Sequence, residues 1–337
     1  MNVYVIRKGS TSLGGLQLVE RADPQPGPHE IVIRVRAASF NYRDQLVLTG
    51  RYFGGPVNRD LIPLSDGAGE VAAVGASVTR CKVGDRVAGT FFQVWNDGTP
   101  PGHTPALGGN ADGMLAEQVV LHEDGVVALP GNLSFEEAAT LPCAGVTAWN
   151  ALMDTGTRVK VGDSVLCMGT GGVSIFALQF AKAAGARVIV TSSSDDKLQH
   201  ALKLGAAEGI NYKRTPDWEK RVLEITNVRG VDHIIELGGV GTLARSFQSV
   251  APGGKIALIG VLAGASGDAN PLGLMFKRAS LHGIFVGSRK MFEDMNAAIE
   301  MNAIKPVVDK VFPFANVVQA WQSFAAGDFV GKVVIRV

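Results

Sequence analysis

The sequence predicts an α/β protein in two parts, a β-rich barrel-like unit and a doubly wound parallel sheet, and three observations predict it. Up to about residue 130, short strand-like runs are broken by Gly and Pro at close spacing. From about 133 onward, apolar strands alternate with amphipathic helical runs. After about 290 a helical run leads to a tail, GKVVIRV, with the texture of the first part. Short strands separated by turn signals suggest a compact barrel-like unit. Strands alternating with helices require a parallel sheet covered on both faces. The expected division is therefore 1–130 with 289–337 as one domain and 131–288 as the other, inserted within it. A chain of 337 residues is long enough for two such cores.

Each element can be justified in order. The opening MNVYVIRKGS alternates like a strand and lacks the apolar core of a signal peptide. EIVIRVRAASF (30–40), GEVAAVGASV (69–78) and VGDRVAG (83–89) read as further strands. Residues 91–113, rich in Gly, Pro, Asn and Asp, read as a long loop, either a lid or substrate wall or a disordered insertion. Ser134, followed three residues later by Glu137, is a capping-box pattern that opens a helix. DSVLCMG, ARVIVTS, VDHIIELGG, GGKIALIGV and LHGIFVG are apolar strands, and VSIFALQFAKAAG and DDKLQHALKLGA are helices between the first of them. FEDMNAAIEMNA is a helix that returns the chain to the first unit.

Composition narrows the function. Hydrophobic residues make up 46% and charged residues 19%, a folding composition. A net charge of +1 without a basic block argues against nucleic acid and anionic membranes as partners. Every apolar run is interrupted before membrane-spanning length. Cys81, Cys143 and Cys167 are too few for a disulfide framework or a four-thiolate zinc lobe. A small-molecule substrate and a cytoplasmic location are expected.

The strongest motif lies between the strand ending at Met168 and the helix that follows. Gly169-Thr170-Gly171-Gly172-Val173-Ser174 matches G-x-G-x-x-G with Ser174 in the last place. The glycines permit a tight turn and let backbone N–H groups approach a pyrophosphate at the helix N-terminus. The third glycine serves close packing, so a small Ser is tolerable there. An NAD site would place a carboxylate where the next strand ends, near Thr191. Here the strand runs into Ser192, Ser193 and Ser194, with Lys197 close by. Hydroxyls and a cation suit the 2′-phosphate of NADP(H), although the serines also suit a helix cap beside Asp195 and Asp196.

With AASFNYRD, PLSDGAGEVAAVG, VGDRVAG, LPCAGVTAWNAL, the glycine loop, LGAAEGINY and GKVVIRV in this order, the chain resembles the medium-chain dehydrogenase/reductase superfamily over nearly its whole length. The resemblance implies a GroES-like catalytic domain, a Rossmann domain, an active site in the cleft between them and a homodimer formed through the Rossmann sheets. Zinc members hold catalytic zinc at the positions of Asn41, Ser65 and Cys143. Only Cys143 remains, so no metal is expected.

What is left is similar to the quinone oxidoreductase branch, whose N-x-x-D motif matches Asn41-Tyr42-Arg43-Asp44. The resemblance implies that Asn41 and Tyr52 are catalytic, with Tyr42 and Asp44 on the substrate side. It places Thr147 by the nicotinamide, Gly171, Gly172, Val173 and Ser174 at the pyrophosphate, and Ser192, Ser193, Lys197 and Tyr212 around the 2′-phosphate. Backbone contacts to the cofactor are implied for Gly238, Gly260, Val261, Phe285, Val286, Gly331 and Lys332. His103 and His122 are expected at the surface. Hydride transfer from NADPH to a quinone or α,β-unsaturated carbonyl is the leading reading. A zinc-free alcohol dehydrogenase or aldehyde reductase and a non-catalytic NADPH-binding protein are the alternatives.

Overall fold

The computed structural model describes every residue except Phe53, His103 and Ala265, so the expectation for His103 lies outside the described residues. The chain forms two compact units, Met1–Val146 with Gly287–Val337, and Thr147–Val286.

In the first unit β1 (Asn2–Ile6) and β2 (Leu16–Glu20) form an antiparallel pair. The main sheet takes β3 (Glu30–Ser39), β4 (Asp66–Val74), β5 (Arg86–Gly89), β6 (Gln118–His122) and β7 (Val126–Ala128). β3 is its spine, antiparallel to β4 along its length and to β6 over Glu30–Arg34. Its register against β4 shifts at Val32/Ile33 and again at Val35/Ala37, and such irregularities sharpen the twist that lets a sheet curl. Ile31, Ile33, Val35 and Phe40 point into a core completed by Leu121 and Trp321. The rings of Phe40 and Trp321 meet edge to face at 5.1 Å.

The second unit holds β8 (Ser164–Met168), β9 (Arg187–Ser192), β10 (Glu208–Asn211), β11 (Val231–Glu236), β12 (Val250–Leu258) and β13 (Ser280–Gly283). They lie in the order β10-β9-β8-β11-β12-β13, every neighbouring pair parallel. Strands buried on both faces need continuous apolar runs, and β8 and β9 supply them. Chain order reverses between β8 and β11, the point outside which open parallel sheets bind ligands. No helix among the described residues is long and apolar enough to cross a membrane.

The chain then returns to the first unit through the helix Arg289–Met301, β14 (Val308–Pro313), the helix Val317–Ala326 and β15 (Lys332–Arg336). β15 pairs antiparallel with the end of β3 at Ala37–Ser39 and parallel with β14.

Two expectations are revised. Residues 131–146 group with the first unit, so the units part after Val146 rather than at 131. Ser39 Oγ donates to the Ala139 carbonyl at 2.9 Å, and the Cys143 N–H donates to Asp66 at 3.2 Å, which ties the segment to β3 and β4. The 91–113 loop is not a disordered insertion, because Phe91, Phe92, Trp95 and Leu107 are buried and only 96–102 is continuously exposed among its described residues.

Gly331 leads into β15 with φ +77°, and a Cβ there would lie 2.3 Å from the Val307 carbonyl oxygen. Gly84, at φ +91°, has open space instead. Gly331→Ala combines backbone strain with a clash and is expected to destabilise by about 2–4 kcal/mol, whereas Gly84→Ala costs about 1 kcal/mol. Thermal melts of the two variants check the difference; equal midpoints would refute it.

Candidate functional site

The loop after β8 leaves open space in front of a helix N-terminus, a geometry that suits an anion. Gly169 takes φ +80°, and an added Cβ at Gly169 or Gly171 would meet nothing within 4 Å. Gly171 caps the helix Gly172–Ala183 without a side-chain cap, so the first-turn N–H groups have no capping side chain. Val173 lies in that first turn. Ser174 is buried and donates to the Met168 carbonyl at 2.6 Å, which satisfies its hydroxyl while the helix stays close to β8. The Gly169 N–H donates to Thr191 Oγ1 at 3.3 Å, linking this loop to the end of β9.

At that end Ser192 is buried and Ser193 half-buried. The Tyr212 N–H donates to the Ser192 carbonyl at 3.0 Å, bringing exposed Tyr212 beside the serines. Ser194 caps the helix Asp195–Leu204 by accepting from the Lys197 N–H at 3.4 Å. The helix-cap role and the cluster of hydroxyls therefore coexist. Asp195 is turned to its neighbours: Asn211 Nδ2 donates to it at 2.7 Å, and Arg214 Nη2 lies 2.5 Å from its other oxygen.

The ends of β11 and β12 carry Gly238, Gly260 and half-exposed Val261. The fully buried Glu236 carboxylate organises this turn, accepting from the Gly238 N–H at 2.8 Å, the Gly239 N–H at 3.1 Å, Thr242 Oγ1 at 2.6 Å and Ser246 Oγ. Phe285 is exposed and Val286 buried. Val286 has φ +58°, a conformation that β-branched residues avoid. Asn150 Nδ2 holds its carbonyl at 2.7 Å, and Thr155 Oγ1 in turn holds Asn150 Oδ1 at 2.5 Å. Thr147 is buried at the start of this unit, on the helix Val146–Trp149.

The first unit holds a second cluster. Asn41 precedes the helix Tyr42–Leu48, and its N–H donates to Asp44 at 2.7 Å, as a capping box requires. Asn41 Nδ2 donates to Ser65 Oγ at 3.3 Å, and Ser65 Oγ donates to Asp66 at 2.7 Å. Lys332, whose side chain is 3% exposed, donates to Asn41 Oδ1 and to the Phe40 carbonyl, each at 2.6 Å. Its Nζ lies 3.6 Å from Asp66. Leu64, at φ +65°, turns the backbone just ahead of Ser65. Burial and the Asp66 carboxylate push the Cys143 thiol up, so it stays protonated at neutral pH. Among the described residues no group of three or more His, Cys, Asp or Glu could hold a metal ion.

Arg43 is buried, with its guanidinium 4.5 Å from the Phe91 ring centroid and 5.7 Å from that of Tyr52. It also donates to the Leu107 carbonyl and pairs with Asp44 at 3.4 Å. Burial raises the Tyr52 phenol above its ordinary value, with Arg43 opposing the shift.

The structure thus gathers Asn41, Asp44 and Lys332 in one unit and the loop, serine and strand-end residues in the other. Asp44 closes the first turn of its own helix and is fully buried, while Tyr42 is 45% exposed. Lys332 contributes a buried ammonium rather than only backbone. Sequence reading missed Asn150, Glu236, Arg214 and the roles of Arg43 and Asp66. His122 lies at the surface, as expected.

The chain thus joins a parallel sheet with an open glycine loop to a β-rich unit with a buried polar cluster. Residues 27–131 match the alcohol dehydrogenase GroES-like domain and residues 172–301 the zinc-binding dehydrogenase domain. The chain is 45% identical over 342 residues to a zinc-type alcohol dehydrogenase-like protein of Schizosaccharomyces pombe, covering 99% of each. It is 32% identical to a quinone oxidoreductase of Pseudomonas aeruginosa, covering 96% of each. A solved NAD-dependent alcohol dehydrogenase is 33% identical with a TM-score of 0.91, covering 100% of both chains. The chain belongs to the medium-chain dehydrogenase/reductase superfamily and is an oxidoreductase of that family.

Burial raises the Asp44 carboxyl to about 6, against the pull of Arg43, the Asn41 N–H and Lys332. The native state therefore holds this proton between the ordinary value of 3.8 and about 6, where the unfolded chain has released it. Asp44 favours folding at low pH, and its contribution falls as pH rises through that window, by on the order of 2–3 kcal/mol. Denaturant titrations at pH 4 and 6.5 should show this fall in wild type and a smaller one in Asp44→Asn. Identical slopes would exclude it.

Proposed function

We propose that this oxidoreductase reduces a quinone or an α,β-unsaturated carbonyl with NADPH and without metal. The observation that carries the reading is the cluster around Asn41. Where zinc members would present ligands, Asn41 and Ser65 are linked to each other, to Asp66 and to the Lys332 ammonium. A catalytic zinc needs three protein ligands from His, thiolate or carboxylate. With an amide and a hydroxyl at two of the three places, beside a fixed cation, the site does not offer that set.

The loop after β8, with open space at Gly169 and Gly171 and a helix N-terminus behind it, fits a dinucleotide pyrophosphate. When bound, the nicotinamide supplies the hydride. The remaining work falls to this chain. The Asn41 amide orients the acceptor oxygen, and the Tyr52 phenol keeps its proton at neutral pH and donates it. One hydrogen-bond donor contributes roughly 3 kcal/mol to such a step, less polarisation than a Lewis-acidic metal supplies. That favours acceptors which take hydride readily over unactivated ketones.

The alternative, a metal-free alcohol dehydrogenase or aldehyde reductase, is favoured by the alcohol dehydrogenases among the relatives. Steady-state assays with quinone, enone and aldehyde panels separate the two. Turnover should be highest with quinones or enones, survive chelators, and fall in Tyr52→Phe. Turnover that is confined to aldehydes, or that needs stoichiometric zinc, would refute the reading.

NADPH is favoured over NADH by what stands at the end of β9. No carboxylate follows Thr191 directly, Ser192 and Ser193 offer hydroxyls, and Lys197 lies one helical turn away. Arg214 and Asn211 occupy Asp195, which reduces its repulsion of a 2′-phosphate. Charge-assisted hydrogen bonds contribute roughly 1.5–3 kcal/mol each, and exposure moves this site toward the low end. Direct titration should show NADPH binding about 10-fold or more tighter than NADH. Lys197→Ala and Arg214→Ala should each weaken NADPH several-fold and leave NADH unchanged; equal wild-type affinities would exclude the preference.

A further inference from the structure

We propose that Lys332 is a positioning residue: its buried ammonium fixes the orientation of the Asn41 amide so that a donor, never an acceptor, faces the substrate oxygen. This rests on the reading of Asn41 as the group that orients the acceptor.

A primary amide is nearly symmetric in shape, and half a turn of its end exchanges a donor for an acceptor at little steric cost. Something must choose between the two states. The Lys332 ammonium can only donate, and it lies 2.6 Å from Asn41 Oδ1. Turning the amide over would set –NH2 against –NH3⁺ at that distance. The other side enforces the same choice. Ser65 gives its hydroxyl proton to Asp66 at 2.7 Å, which leaves its oxygen to accept from Asn41 Nδ2 at 3.3 Å.

The four groups therefore form a one-way chain of donors from an ammonium to a carboxylate, with its charged ends 3.6 Å apart. Bonds in such a chain polarise one another. A cation on the amide oxygen also draws electron density from the amide nitrogen, which strengthens both of its N–H donors. One N–H goes to Ser65, and the second has no hydrogen-bond partner among the described residues. Two of the Lys332 ammonium hydrogens go to the Phe40 carbonyl and to Asn41, and its Nζ also lies 3.6 Å from Asp66.

The test is a double-mutant cycle read by kcat, NADPH affinity and thermal melting. Asn41→Ala should lower kcat on the order of 100-fold. Lys332→Met should lower kcat about 10- to 100-fold with NADPH affinity within about two-fold of wild type, and Lys332→Arg should recover most of the loss. In the Asn41→Ala background, Lys332→Met should cost less than about two-fold further, because it acts through the amide. If Lys332→Met does not fold, Lys332→Gln carries the same measurements, since it removes the charge and lets the amide turn over. Full activity in Asn41→Ala would refute the role given to Asn41. With that role intact, three results would overturn the inference about Lys332: unchanged kcat in its variants, a loss that repeats in full without Asn41, or weakened NADPH binding at unchanged kcat.

Discussion

Taking an ammonium ion out of water is costly by several kcal/mol, and the first unit is arranged around meeting that cost at Lys332. The acceptors come from chain segments far apart: the Phe40 carbonyl and Asn41 at the end of β3, and Asp66 at the start of β4. None of the three could be moved without leaving a buried charge unmatched, a change that typically costs 3–5 kcal/mol. The pairing of β15 with β3 at Ala37–Ser39 brings Lys332 to this point. The left-handed turn at Leu64 does the same for Ser65 and Asp66, and it is held on its far side by Gly108, which approaches the Leu64 backbone too closely for any side chain. Fold and site are in this sense one constraint.

The second unit solves an opposite problem, a buried acid that has no cationic partner among the described residues. Glu236 meets it with two backbone N–H groups and two hydroxyls, which also shape the turn after β11. Val286 shows where strain has been accepted. A valine at φ +58° persists only when its surroundings over-determine it, and the Thr155–Asn150–Val286 hydrogen-bond chain does so. Strained residues of this kind gather at functional sites, and here both Leu64 and Val286 adjoin residues assigned to the site.

Much of the second unit was legible in the sequence because its signals are local. Alternating strands and helices indicate a parallel sheet, and the spacing of Gly169, Gly171 and Gly172 marks the tight turn between β8 and its helix within six residues. Even Ser174 in the third glycine's place was readable as a packing position. The first unit was less legible because its decisive contacts are long-range. Lys332 and Asn41 are 291 positions apart, and no spacing rule links them. Arg43 looks like a helix surface residue until Phe91 and Leu107 of a distant loop close over it. Asp44 is the instructive case. Asn41 and Asp44 stand three apart at a helix start, a capping signal visible in the sequence, and the structure shows that contact. The boundary after Val146 escaped for the same reason, since Ser39 and Asp66 determine it from afar.

The first unit is interrupted in sequence, since Thr147–Val286 lies between its two pieces. During synthesis the strands from β1 to β7 emerge long before β15, so the edge of β3 at Ala37–Ser39 waits for its partner while the whole second unit is being made. The second unit can complete its sheet in that interval, because all six strands are contiguous in the chain. The first cannot, and until β15 arrives Asp66 is an acid without its cation and β3 has an unpaired edge. Such edges are where nascent chains associate wrongly. The ammonium that orders the Asn41 amide is therefore also the part of the site that arrives last.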